Sequence, residues 1–196
     1  MFKLLVVAAA GLVGLVGAIN TSRKRAAVRA KMLAAPSTFE DNAAVTFTGT
    51  VKPLGELLVA PLSGKPCVAY RALARIYGVR GGLRLERELA ETKMVPFMLA
   101  TKHGDVLVDG DQFQLLARGE PIIPGNVERE RRFLALEDMR GTGFDELRIE
   151  PDAKITVHGI ARQELAEHGG ETGFREAPTQ IRLTGDDAHP LTIDHA

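Results

Sequence analysis

The residues best equipped for chemistry in this 196-residue chain cluster in one stretch, Leu57 to Arg75, read LLVAPLSGKPCVAYRALAR. It contains the single cysteine, Cys67, with Ser63 and Lys65 just before it in a proline-bracketed turn. A thiolate nucleophile needs a basic neighbour, and Lys65 is the only close one. A cysteine opening an apolar strand is more commonly a buried, inert thiol. Ser63 has no GxSxG elbow around it, and a turn hydroxyl ordinarily bonds its own backbone. Gly64-Lys65 resembles the end of a phosphate-binding loop. That motif needs a glycine where Val59 stands and a hydroxyl residue where Pro66 stands. Asp109, Asp111 and Glu120 fit positions 1, 3 and 12 of a calcium loop, but Phe113 and Gln114 break positions 5 and 6. The histidines, His103, His158, His168, His189 and His195, form no HExxH or other close ligand pair. With one cysteine there is no intrachain disulfide and no multi-cysteine zinc site. These patterns predict no catalytic set, no metal site and no cofactor.

The elements that must position the stretch read as strands. Val45, Phe47 and Val51 alternate with Thr46, Thr48 and Thr50, a period of two with β-branched residues. Gly49 interrupts this run and predicts a bulge or sharp bend, as small barrels need. Lys52 to Gly55 reads as a turn. Pro61 and Pro66 bracket Leu62-Ser63-Gly64-Lys65, predicting a stiff, sharply shaped loop. Beyond it, Val68, Tyr70, Ala72, Ala74 and Ile76 share one face, and Arg71 and Arg75 point from the other. With Leu83 to Glu88 this predicts a long hairpin whose solvated face pairs arginines with glutamates. Val95 to Leu99 and Val106 to Val108 predict two more strands around a Lys102–Asp105 turn. Val127 to Arg140 predicts the one soluble helix, capped by Asn126, with Phe133, Leu136 and Met139 on its apolar face. Ile155 to Val157 is a further strand, Arg162 to Phe174 an exposed loop, and Ile181–Thr184 with Leu191–Ile193 a last strand pair. The fold class is therefore mainly β, a small barrel or sandwich with one short helix, behind an N-terminal transmembrane helix.

That leader is Leu4 to Ile19, an unbroken apolar run in which Leu4, Leu5, Val6, Val7, Leu12, Val13, Leu15, Val16 and Ile19 are the large side chains. As a helix it spans roughly 24 Å, which Phe2 and the stem of Lys3 extend toward a bilayer's width. A cleaved signal peptide, cut near Ala18, is the competing reading. The basic collar Arg23, Lys24 and Arg25 favours an anchor that is retained, with the body on the cytoplasmic side. Ala10, Gly14 and Ala18 fit a small-xxx-small dimer face, a lesser possibility. Residues 21–38 are expected to be a basic membrane-surface helix, ended by Pro36, followed by a linker, and residues 39–196 the β domain. The formal net charge of +0 conceals an asymmetry: six basic and no acidic residues precede Pro36, which leaves 19 basic against 25 acidic in the rest. Such a body does not suit nucleic acid, which needs a basic face. The collar suits anionic headgroups.

The run from Leu58 to Arg71, LVAPLSGKPCVAYR, resembles the signature of the GIDE family, also called the "beside a membrane" (BAM) domain, found in membrane E3 ligases of the mitochondrial outer membrane. Weaker matches follow in order: Pro96-Phe97, the Gly104–Asp109 return strand, Glu146-Leu147-Arg148-Ile149, and Val157-His158-Gly159. The likeness covers roughly Val45 to Ile193. It implies an OB-like barrel held next to a membrane. The ligases end in a RING domain whose zinc needs paired cysteines and a histidine. With a single cysteine, this chain resembles the stand-alone bacterial form.

Two classes of function follow. The first is a membrane-tethered binding or scaffold module whose partner is another membrane-associated protein, with Pro61, Ser63, Gly64, Lys65, Arg71 and Arg75 as candidate contacts. Tethering raises effective concentration toward such partners. The second is a hydrolase or transferase with a site assembled in space, for which Cys67 beside a histidine would be the sign. A ligase accessory without its own RING is a third reading, by analogy alone. Oligomeric state is not encoded in any pattern found.

Overall fold

The computed structural model describes residues 24–80, 83–117, 119–122, 129, 132–133, 141–165, 179–186 and 188–196. The anchor residues 1–20 and Arg23 lie outside that set, as does most of the helix expected over 127–140, of which Arg129, Arg132 and Phe133 are described and helical. Among the described residues no helix is long and apolar enough to cross a membrane. Helix α1 occupies residues 24–34.

Thirteen strands follow among the described residues: β1 (Ala43–Pro53), β2 (Leu58–Val59), β3 (Pro66–Cys67), β4 (Ala69–Arg80), β5 (Leu83–Met94), β6 (Phe97–Thr101), β7 (Gly104–Val108), β8 (Phe113–Leu115), β9 (Glu120–Ile122), β10 (Gly141–Ile149), β11 (Lys154–Leu165), β12 (Thr179–Thr184) and β13 (Leu191–His195). The main sheet runs β1-β6-β7-β12-β11-β13-β8, and β1 also pairs with β11. That extra pairing closes β1, β6, β7, β12 and β11 into a five-stranded barrel with no free edge among its members. The β7–β12 pair is parallel and the other four barrel pairs are antiparallel. A second sheet, β5-β4-β10-β9, stands beside it, and β2 with β3 forms a small hairpin.

Alternation explains the barrel interior. Val45, Phe47, Val51, Phe97, Leu99, Val106, Val108, Ile155, Val157, Leu183 and Ile193 are buried in one cluster. Gly49 is where β1 changes partner, pairing with Ile155 of β11 and with Thr101 of β6. A side chain there would collide with the Ala100 carbonyl, which is why a glycine stands at this position, and the register passes through it without the bulge expected. The β6–β7 turn is as tight as expected: Lys102 and His103 form it, Gly104 has φ 112°, and the Thr101 hydroxyl donates to the Gly104 carbonyl at 2.7 Å.

Three local expectations are corrected. β1 continues through Lys52 and Pro53, because pairing with Met98 and Phe97 extends it beyond its alternating run. Arg162 to Leu165 belongs to β11, paired with β12, and is not loop. β12 and β13 do not pair with each other. They lie end to end along β11, β12 against Ile160–Leu165 and β13 against Ile155–His158, because a twelve-residue strand offers room for both.

Candidate functional site

The Pro61–Pro66 loop closes the β2–β3 hairpin, in which Val59 stands opposite Pro66 and Leu58 opposite Cys67. Backbone bonds shape it: Gly64 N–H donates to the Ala60 carbonyl at 2.8 Å, and Ala60 N–H to the Lys65 carbonyl at 3.0 Å. Gly64 takes φ 70°, in the left-handed region that glycine tolerates best. The Ser63 hydroxyl accepts the Lys65 N–H at 3.3 Å, the local turn bond expected of it.

The loop's anchor is a residue that sequence patterning passes over. Glu146 of β10 is 1% exposed, and its carboxylate accepts the Leu62 N–H at 2.8 Å and the Ser63 N–H at 3.2 Å. Arg148 pairs with it at 3.2 Å and with Glu150 at the same distance. A buried carboxylate is tolerable only when paired and hydrogen-bonded in this way. Above the loop, the Arg129 guanidinium occupies the space a Gly64 side chain would need. Phe133, four residues on, packs against Ala60, Leu62, Cys67, Tyr70, Ala72, Ala74 and Phe144, a second apolar cluster between the loop and β4. The loop is thus clamped from both sides. Ser63 and Gly64 are half-buried, while Lys65, Pro66 and Val59 remain exposed, Val59 at 64%.

Cys67 is fully buried, and its thiol donates weakly to the Leu58 carbonyl at 3.8 Å. Burial, reinforced by the nearby Glu146 charge, pushes the thiol up to about 11. Lys65 does not activate it. Tyr70 is likewise pushed up to about 12 by burial and by its 2.8 Å bond to Glu91. Among the described residues, no three His, Cys, Asp or Glu side chains are grouped so as to hold a metal.

The two arginines of β4 part company. Arg75 is exposed, bonded to Asp145 at 3.0 Å and opposite Glu88 in the ladder, close to the arginine–glutamate face expected. Arg71 is half-buried instead. Its guanidinium reaches the main sheet, donating to the Leu115 carbonyl at 2.8 Å and the Ala117 carbonyl at 2.9 Å. It is a bridge between sheets, and the expectation of a solvated Arg71 is corrected.

A second polar assembly lies on the barrel's outer wall under α1. Arg25, Val28, Met32 and Ala35 form the helix's inward stripe at helical spacing, with Met32 2% exposed. Arg29 pairs with Asp194 of β13 at 2.5 Å. The Thr46 hydroxyl donates to the Met32 carbonyl at 2.8 Å, so its contact with His158 Nδ1 at 3.0 Å requires the ring to be the donor. Burial, then the charge of Lys31, depresses the His158 pKa. Among the described residues, Asp194 Oδ1 is buried without a hydrogen-bond partner. The polar strand face that carries Thr46 and His158 is covered by α1.

Fold and site together define a closed β-barrel carrying a clamped loop at one place and a docked basic helix at another. No family model, no curated protein and no solved structure matches the chain.

Proposed function

We propose that this chain is a membrane-anchored binding or scaffold module, its OB-like barrel displayed on the cytoplasmic face by an N-terminal span, and that it is a stand-alone relative of the GIDE/BAM domain. The barrel's order, three consecutive strands followed by a swapped last pair with one parallel contact, supports the OB-like reading. The short path from the apolar leader to α1, and the docking of α1 on the barrel, support a body held close to the bilayer.

The observation that carries the binding reading is the use of buried Glu146 to shape the loop. The carboxylate and the Arg129 guanidinium fix the backbone, while Lys65, Pro66 and Val59 face outward on a rigid mount. Rigid presentation lowers the ordering cost of binding. The partner is another membrane-associated protein that meets this mixed basic and apolar edge. A thiol raised as far as Cys67 gives the hydrolase or transferase reading no nucleophile there.

The test is photo-crosslinking in cells from position 59, with Ser63 and Lys65 both replaced by alanine in the comparison chain. Partner adducts are expected to disappear while the melting temperature stays unchanged, since neither side chain holds the core. Adducts that persist at the wild-type level remove the loop from the binding surface.

A further inference from the structure

A strand edge left open is where one chain pairs with another. Among the described residues the edges of this fold are blunted one by one. The barrel closes β1 onto β11. β8, at the end of the main sheet, is three residues long, and Arg71 occupies the Leu115 and Ala117 carbonyls at and just beyond its end. β9 is also three residues long and carries Pro121, which has no N–H to offer. β2 and β3 are two residues each. β5 is the exception. It stands at the end of the second sheet, and among the described residues only β4 pairs with it. All twelve of its residues, Leu83–Met94, pair with β4 in a continuous register with no bulge. None of them is proline or glycine, and Glu88, Ala90, Thr92 and Lys93 are exposed.

The charge order along β5 repels a second β5 in most registers and attracts it in one. An antiparallel pair about a two-fold axis normal to the sheet sets residues of the same face opposite each other, so the axis passes through one residue. An axis at Glu86, Arg87, Glu88 or Glu91 sets that charge against its own copy. An axis at Ala90 sets Arg87 against Lys93. Axes nearer either end leave most of the strand unpaired. An axis at Leu89 sets Arg87 against Glu91 twice, Glu88 against Ala90, Glu86 against Thr92, Leu85 against Lys93 and Arg84 against Met94, with no like charges opposed. Opposite charges directly across a ladder stabilise it. Leu89 is already half-buried and packs against the cluster that contains Tyr70, Ala72 and Ala74 of β4, so a second Leu89 beside it extends that cluster. Glu91 lies on the same face as Leu89. Its Oε1 accepts the Tyr70 hydroxyl at 2.8 Å and meets Lys93 at 2.6 Å, which orients the carboxylate.

We infer that β5 is a self-pairing edge: two copies of this chain join β5 to β5, antiparallel about Leu89, into one continuous sheet. The binding reading of the Pro61–Pro66 loop is independent of this join, because no loop residue lies on β5.

The test uses the full chain in neutral detergent micelles. Single cysteines are introduced in turn by Glu88→Cys, Leu89→Cys and Ala90→Cys, with Lys102→Cys in the exposed β6–β7 turn as the background. Native Cys67 is buried and takes no part. The initial rate of disulfide-linked dimer formation under mild oxidant is read by non-reducing electrophoresis. The rate is expected to peak at Leu89→Cys, whose two copies stand directly opposite each other. Adding Arg87→Glu sets carboxylates against each other on both sides of the axis and is expected to lower that rate about tenfold. Adding Glu91→Arg as well is expected to restore it. A rate at Leu89→Cys no higher than at Lys102→Cys overturns the inference. So does a peak at Glu88→Cys or Ala90→Cys, a rate that Arg87→Glu leaves unchanged, or no recovery in a double variant that melts as its parent does. A dimer held by the N-terminal span alone falls among these overturning results, since it does not bring Leu89 to its own copy. A chain that proves to lack the anchor is tested in the same way without detergent, so failure of the membrane reading and failure of the join are told apart.

Discussion

The Pro61–Pro66 loop is fixed from beneath by a carboxylate with no solvent exposure, whereas α1 is fixed at its rim by polar contacts to the barrel's outer wall. The loop's anchor is saturated: Glu146 takes two backbone N–H groups and an arginine, all inside the protein. The helix's anchor is incomplete. Arg29 is 57% exposed on its side chain, and Asp194 keeps a buried oxygen without a partner among the described residues. A fully satisfied buried network rigidifies, and a partly satisfied one leaves its element easier to release. The comparison teaches where rigidity and adjustment are placed: the loop presents one shape, while α1 is held by contacts that open more easily.

The sharpest way to break this contrast is Glu146→Ala. It leaves the Leu62 and Ser63 N–H groups without their acceptor and Arg148 with Glu150 alone, so stability is expected to fall by roughly 2–4 kcal/mol in denaturant unfolding. A loss below about 1 kcal/mol would make the loop as loosely held as the helix. Next in size is Gly64→Ala. A left-handed backbone costs an alanine about 1–2 kcal/mol, and the methyl group displaces the Arg129 guanidinium. Hydrogen exchange should rise across the β2–β3 hairpin and leave α1 untouched.

Arg29→Ala probes the other side of the comparison. Stability should drop by about 1 kcal/mol, a figure discounted for the exposed arginine, and faster exchange should be confined to residues 24–34. The smallest effect concerns pH. Burial lowers the His158 pKa from its ordinary 6.5, so the unfolded chain takes up the proton more readily than the folded one. No penalty exists above the ordinary value. Stability is lost as pH falls through it, and the loss levels off below the depressed folded value. Lys31 and His189 add to the penalty, while the Val45 carbonyl opposes it. Comparing unfolding midpoints at neutral pH and below 6.5 checks this, and His158→Gln should flatten the dependence.

Much of the barrel was legible because its signal is local. Val45, Phe47 and Val51 alternate, and Lys102-His103-Gly104 announces its turn. The pairing of β12 and β13 along β11 was not legible, since two short strands joined by a turn read as a hairpin and only distant residues decide otherwise. The site was half legible. The prolines and glycine gave the loop's stiffness, but Glu146 stood in an alternating Glu-Leu-Arg-Ile run where a carboxylate reads as solvent-facing. One cue was present: Phe144 shares its strand face, which is an apolar neighbour for a charge. Thr46, His158, Thr192 and Asp194 are buried polar residues, and nothing local in the sequence shows that a basic helix covers them. Arg71 was misread for the same reason, because its partners lie more than forty residues away.

The account as a whole depends on a retained leader that keeps this barrel against the lipid. Alkaline carbonate extraction of cell membranes, followed by intact-mass measurement of the chain, tests that most directly. The account predicts the full-length chain in the membrane pellet. A soluble chain shortened by a cut near Ala18 would contradict it.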